Sequence, residues 1–313
     1  MRNAFVQSLF ELAKQDERIV LITGDLGFSV IEPFMERLPR QFVNAGVAEQ
    51  NMTGMAVGMA LSGKVVFTYS IANFPTLRCL EQIRNDVCYH NANVKIVAVG
   101  GGFAYGSMGV THHAVEDLGV MRMLPGMTVV APGDPLEASL AAKACARYAG
   151  PCYLRLGKAG EPSVHSSEID FQLGKAVHVR EGKDLTLIST GGLLKTTVDA
   201  ADMLAVLGIR SRVLSMHTLK PLDCESIMTA ARETGVIFTI EEHSIIGGLG
   251  SAVSEVLAEA SEAGPVYLKR VGLTSEFSPH IGSQEYLRRQ HGLTAESIVS
   301  SVQAVLKPTK AAV

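Results

Sequence analysis

Along the chain, short and nearly unbroken apolar runs alternate with stretches in which apolar side chains recur every three or four positions. The runs are Arg18–Asp25, Lys64–Tyr69, Val94–Gly100 and Met127–Pro132, most of them closed by Gly or Pro. That pattern predicts strands buried on both faces of a parallel sheet. The stretches between predict helices over 4–15, 51–61, 75–91 and 134–149. Residues 158–184 are polar and aperiodic and read as a linker. Alternation then resumes, with strands at 185–190, 211–216 and 235–242 and helices at 192–207 and 223–234. The expected fold class is α/β, with two doubly wound domains, 1–157 and a smaller one at 185–313, joined by 158–184.

The composition fits that reading: 313 residues, 47% hydrophobic and 19% charged, suffice for two cored domains. A net charge of -3 argues against a nucleic-acid binder. The five cysteines are odd in number and never spaced Cys-x-x-Cys, which disfavours a disulfide framework or a zinc site and suits a reducing cytoplasm. The N-terminus carries no signal-peptide run, and no apolar stretch reaches the roughly 20 residues of a membrane span. No phosphate-cradling Gly-x-x-x-x-Gly-Lys-Ser/Thr loop occurs, nor a Gly-x-Gly-x-x-Gly dinucleotide turn with its acid.

Two places carry candidate chemistry. Glu49 stands at the head of a segment, Gln50–Leu61, that has no charge and is rich in Gly, Ala and Met. It reads either as a first-turn acid favoured by the helix macrodipole or as a buried carboxyl able to donate a hydrogen bond near neutral pH. Gly54 and Gly58 are expected to let that helix pack closely. Gly100-Gly101-Gly102 opens a loop that closes on His112-His113. Its imidazole reads as a hydrogen-bonding or proton-shuttling group, or as an exposed loop histidine, rather than as a metal ligand.

These segments together resemble the thiamine-diphosphate enzymes of the transketolase family. Phe42–Met52 resembles the segment holding the aminopyrimidine-binding glutamate. Thr111–Asp117 followed by Met127–Asp134 resembles the active-site histidine loop and the strand after it. His217–Asp223 and Glu241–Gly250 resemble the C-terminal domain. The resemblance implies a pyrimidine-binding domain over 1–157 and a transketolase C-terminal domain over 185–313. It implies that Glu49 activates the cofactor and that His112 contacts the substrate hydroxyl. It implies further that Asp25 lies near the cofactor, that Arg2 binds a substrate phosphate, and that Lys158 stands where the family places a second phosphate-binding arginine, a looser match because lysine acts as a point charge. It also implies that Phe74 or Tyr69 supplies the ring that stacks on the aminopyrimidine. The implied reaction is transfer of a two-carbon ketol unit from a ketose or its phosphate to an aldose or its phosphate.

The chain departs from the family at Met108 and Gly100, where an acid and a phosphate-contacting histidine are usual, and this puts the common pentose-phosphate substrates in doubt. It also lacks the Gly-Asp-Gly motif that holds magnesium and the diphosphate. The resemblance therefore implies the C-terminal subunit of a split transketolase, with thiamine diphosphate and Mg2+ held mainly by an N-terminal diphosphate-binding partner in an α2β2 heterotetramer. Two alternatives are the beta subunit of a 2-oxo-acid dehydrogenase and a non-catalytic assembly subunit of the same fold.

Overall fold

The computed structural model describes residues 1–260 and 264–306. Two sheets organise it. The first draws on β1 (Ile19–Thr23), β2 (Phe42–Asn44), β3 (Val65–Ile71), β4 (Val94–Val99), β5 (Thr128–Val130) and β6 (Cys152–Leu156). The second half contributes β7 (Val177–Arg180), β8 (Leu185–Ser189), β9 (Ser211–Ser215), β10 (Thr218–Lys220), β11 (Val236–Ser244) and β12 (Tyr267–Leu273). The strand orders are β10-β5-β6-β4-β3-β1-β2 and β12-β11-β8-β9-β7. Every pairing is parallel except β10 on β5 and β7 on β9. Thus β10, from the second half, completes the first sheet, and β7 lies inside the stretch that sequence patterning reads as linker.

The strand pattern explains the layering. Alternate residues of β1 and β3 point to opposite faces. Val20, Ile22 and Val66 face one core with Met52 and Ala56 of helix Glu49–Leu61. Ile19, Leu21, Val65, Phe67 and Tyr69 face the other, with helices Arg2–Ala13 and Pro135–Arg147. The first core continues without a break into Ile188, Leu214 and Ile237 of the second sheet. Helix Pro135–Arg147 begins at a side-chain cap: Asp134 Oδ1 accepts from Glu137 N at 2.8 Å, and its Oδ2 accepts from Val164 N and His165 N. One buried carboxylate therefore starts a helix and anchors residues 164–165.

Two expectations need correction. Gly54 and Gly58 do not serve close packing within this chain: a Cβ at either would meet nothing within 4 Å. They share an exposed face of their helix with Gln50, Asn51 and Leu61. The helix expected over 75–91 is irregular, a 3-10 turn at Leu77–Cys79, an α turn at Leu80–Gln82 and a wider π turn at Ile83–Cys88.

Candidate functional site

The candidate residues gather at the carboxyl ends of β1, β3, β4 and β6, where open α/β sheets form their crevices. Glu49 opens the helix that follows β2, and it is 2% exposed. It arrives there through Gly46, whose φ of 73° turns the chain so that Ala48 N donates to Gly46 O. The helix packs by Met52 and Ala56, and this draws its first residue inward.

Glu49 is not alone. Arg78 Nη1 lies 2.7 Å from its Oε2. Among the described residues, Oε1 has no hydrogen-bond donor. A Cβ at position 24 would stand 3.7 Å from that oxygen, so glycine at 24 keeps the space beside it open. Arg78 also sits 4.7 Å above the Phe74 ring centroid, a cation–π contact worth about 0.5–2 kcal/mol. The Phe74 ring meets His112 edge-on, with centroids 5.2 Å apart. Glu49, Arg78, Phe74 and His112 therefore form one continuous wall.

His112 is held from two sides. Its Nδ1 is 2.9 Å from Thr111 Oγ1. Asn73 Nδ2 donates to the carbonyls of Thr111 and His113, the residues flanking it. Burial, with a smaller push from His113, lowers the His112 pKa below its ordinary 6.5, which keeps the imidazole neutral and able to accept a proton at physiological pH. His113 is turned inward instead, with Nε2 3.1 Å from Gly106 O and its ring edge-on to Phe103.

Asp25 follows β1 with a φ of 55° and is exposed. Asn44 fastens it: Asn44 Nδ2 donates to Asp25 Oδ1 at 2.9 Å, and Asn44 Oδ1 accepts from Asp25 N and Gly46 N, each at 3.0 Å. This clasp joins the ends of β1 and β2 one turn before Glu49. Lys158 follows β6 and places Nζ 4.9 Å from the Tyr105 ring centroid. Arg2 begins helix Arg2–Ala13 and acts electrostatically on both Tyr69 and Tyr105.

Phe74 and Tyr69 part company here. Phe74 shares the wall with Glu49, whereas Tyr69 is 1% exposed and packs in the core on the opposite face of the sheet. Sequence reasoning missed Arg78, Asn44, Asn73 and Tyr105. The available signals were a lone cation soon after Phe74 and polar side chains beside Gly46 and after β3. Among the described residues, no group of three or more His, Cys, Asp or Glu side chains is arranged to hold a metal. No helix of the described residues is long and apolar enough to cross a membrane.

Comparison with known proteins gives the site a family. Residues 1–160 match the transketolase pyrimidine-binding domain, and residues 174–298 match the transketolase C-terminal domain. The chain is 42% identical over 308 residues to one of the subunits of the apulose-4-phosphate transketolase of Phocaeicola vulgatus, covering 98% of this chain and 97% of that one. It is 39% identical over 306 residues to a 6-deoxy-6-sulfo-D-fructose transketolase subunit of a Clostridium species, covering 97% and 94%. A solved structure described as a split gene transketolase, inactive beta4 tetramer, superposes with a TM-score of 0.88 at 40% identity, over 97% of both chains. The chain belongs to the transketolase family, whose cofactor is thiamine diphosphate, and it is of the kind that forms one subunit of a split transketolase.

Proposed function

We propose that this chain is the subunit of a thiamine-diphosphate-dependent transketolase that activates the cofactor and binds the sugar, moving a two-carbon ketol unit from a ketose to an aldose. The observation that carries this reading is Glu49: a buried carboxyl with one oxygen paired to Arg78 and the other open beside Gly24. That donor set suits a heterocycle with a ring nitrogen that needs a hydrogen-bond partner. When bound, thiamine diphosphate supplies the electron sink that ketol cleavage requires.

The chain's own residues then have distinct tasks. Glu49 hydrogen-bonds the ring nitrogen through Oε1, and Arg78 fixes its other oxygen. Phe74 offers the aromatic face that Tyr69, buried in the core, does not. His112, kept neutral, takes or returns a proton at a sugar hydroxyl. Asn73 and the Asp25–Asn44 clasp fix the loops that carry these groups. Arg2 and Lys158 hold the terminal anion of the substrate.

The diphosphate and Mg2+ belong to a partner subunit in this reading, with two chains of each kind forming the enzyme in the cytoplasm. Two features support partner dependence. The uncovered face of helix Glu49–Leu61, with Gly54 and Gly58, leaves room for close approach by a second chain. The solved relative made only of β chains is described as inactive. The test is ketol transfer from hydroxypyruvate to a panel of aldoses, with thiamine diphosphate and Mg2+. Activity is expected only when the chain is mixed with a diphosphate-binding transketolase subunit, and Glu49→Ala abolishes it. Decarboxylation of 2-oxo acids in place of ketol transfer would overturn the reading.

A further inference from the structure

We propose that Tyr105 is a specificity-determining residue of this cleft: its ring is the platform that seats Lys158 beside Arg2, so that the pair grips a terminal oxyanion on the sugar. The inference rests on the ketol-transfer reading and adds to it the side chain that positions the anion-binding lysine.

The geometry starts at Gly100, directly after β4, with a φ of 96°. A Cβ built there would lie 2.2 Å from Tyr105 Cε2 and 2.3 Å from Cδ2. The ring thus fills the space that any side chain at 100 would need, and glycine is required on both counts. Around the ring, Lys158 Nζ stands 4.9 Å from the centroid and the His112 ring 6.2 Å from it. Arg2 lies close enough to favour the ionised forms of both the Tyr105 and Tyr69 phenols, and Tyr105 in turn acts on Tyr69. One guanidinium and two phenols therefore share a corner next to the Lys158 ammonium.

Among the described residues, neither Arg2 nor Lys158 forms an ion pair. Glu161 is bound to the Met1 amino group at 2.6 Å, and Glu32, on which the Arg2 charge acts, has Oε1 engaged by Ser29 N. Two cations without a salt-bridge partner, one of them steered by an aromatic face, match an oxyanion carried on a neutral sugar stem. A lysine tail by itself is floppy. Stacked on a ring that is locked against Gly100, its ammonium is confined to a ring that also adjoins His112.

The proposal is tested first by binding. The chain is titrated with inorganic phosphate and, separately, with methanesulfonate, in wild-type, Tyr105→Ala, Tyr105→Phe and Lys158→Met forms. Saturable binding of at least one anion is expected. Tyr105→Ala should weaken it about fivefold to tenfold, Tyr105→Phe should leave it near wild type, and the Ala and Met changes combined should cost no more than Lys158→Met alone. No saturable binding, an unaltered Tyr105→Ala, or a Tyr105→Phe as weak as Tyr105→Ala would each overturn it. The preferred anion separates a phosphate from a sulfonate substrate. A second readout uses the enzyme reconstituted with its partner: Tyr105→Ala should raise KM for a phosphorylated aldose and leave kcat, and KM for the unphosphorylated aldose, near wild type. Absence of turnover in every form, with the binding pattern intact, would sink the ketol-transfer reading and not the role of Tyr105.

Discussion

Arg155→Met should be the most damaging single change outside the wall formed by Glu49, Arg78, Phe74 and His112. Arg155 is the penultimate residue of β6, 5% exposed, with Nε 2.9 Å from Oδ2 of the fully buried Asp117. One terminal nitrogen donates to Ala114 O at 2.6 Å and to Glu242 O at 3.0 Å. Methionine fills most of the volume but leaves the Asp117 charge with only the Tyr153 hydroxyl, while Ala114 O keeps its bond from Gly102 N. The loss therefore falls mainly on one uncompensated buried carboxylate, which costs about 3–5 kcal/mol, a large share of a typical domain's roughly 5–15 kcal/mol. Urea unfolding followed by circular dichroism reads it. The double variant Arg155→Met with Asp117→Asn should recover much of the loss, because the stranded charge is then gone. A single-variant loss under about 1 kcal/mol, or a double variant whose loss is the simple sum, would refute the reasoning. Arg155 also backs the Gly102–Ala114 bridge that closes the histidine loop. Hydrogen exchange across residues 102–114 should accelerate in the single variant even where the protein is still folded.

Other predictions follow from single contacts. Asp134→Ala removes a helix cap and orphans Val164 N and His165 N, and should cost about 3 kcal/mol in urea unfolding; an effect below about 1 kcal/mol would contradict the double role of that carboxylate. Burial pushes the Glu241 pKa from 4.5 up to about 7. Its folded value lies above its unfolded one, so its stabilising contribution is complete below about pH 4.5 and is lost as pH rises through 7. At about 1.36 kcal/mol per pH unit, that comes to about 3 kcal/mol. The fall in wild-type stability between pH 5 and 8 should be flattened in Glu241→Gln, and parallel pH profiles would rule the effect out. Gly100→Ala forces both a left-handed alanine and a displaced Tyr105, and should lower stability by about 1–3 kcal/mol; a wild-type melting curve would show that the ring yields freely.

Much of the fold was legible because its inner strands are apolar runs: β1, β4, β5, β8 and β9 fall within segments that patterning alone picks out, and β3 and β11 begin within theirs and run on to Ile71 and Ser244. The strands it passed over each break that signal for a physical reason. β2 and β10 are three-residue strands at the two edges of the first sheet. β7 and β12 lie at sheet edges and show part of their side chains to water. β6 carries Arg155 near its end, and only the distant Ala114, Asp117 and Glu242 explain how a guanidinium is buried there. The site shows the same division. Glu49 and His112 advertise themselves by local context, an acid before an uncharged helix and an imidazole on a glycine loop. Arg78 and Asn44 reach Glu49 and Asp25 through contacts 29 and 19 positions away along the chain, which no local pattern records.

The antiparallel strand Thr218–Lys220 has a practical consequence for anyone cutting or recombining this chain. It caps the β5 edge and ends with Lys220 Nζ donating to the carbonyls of Arg122 and Leu124. A fragment stopped at the polar stretch near residue 160 would leave β5 as a bare template of unpaired amides and carbonyls, open to strand addition by another molecule. Chimeras that exchange the second half for that of a relative must likewise match β10 to β5 of the host. The unit of inheritance here is larger than either sheet: the seam between the halves runs between the last two strands of a sheet and not through the loop that looks like a hinge.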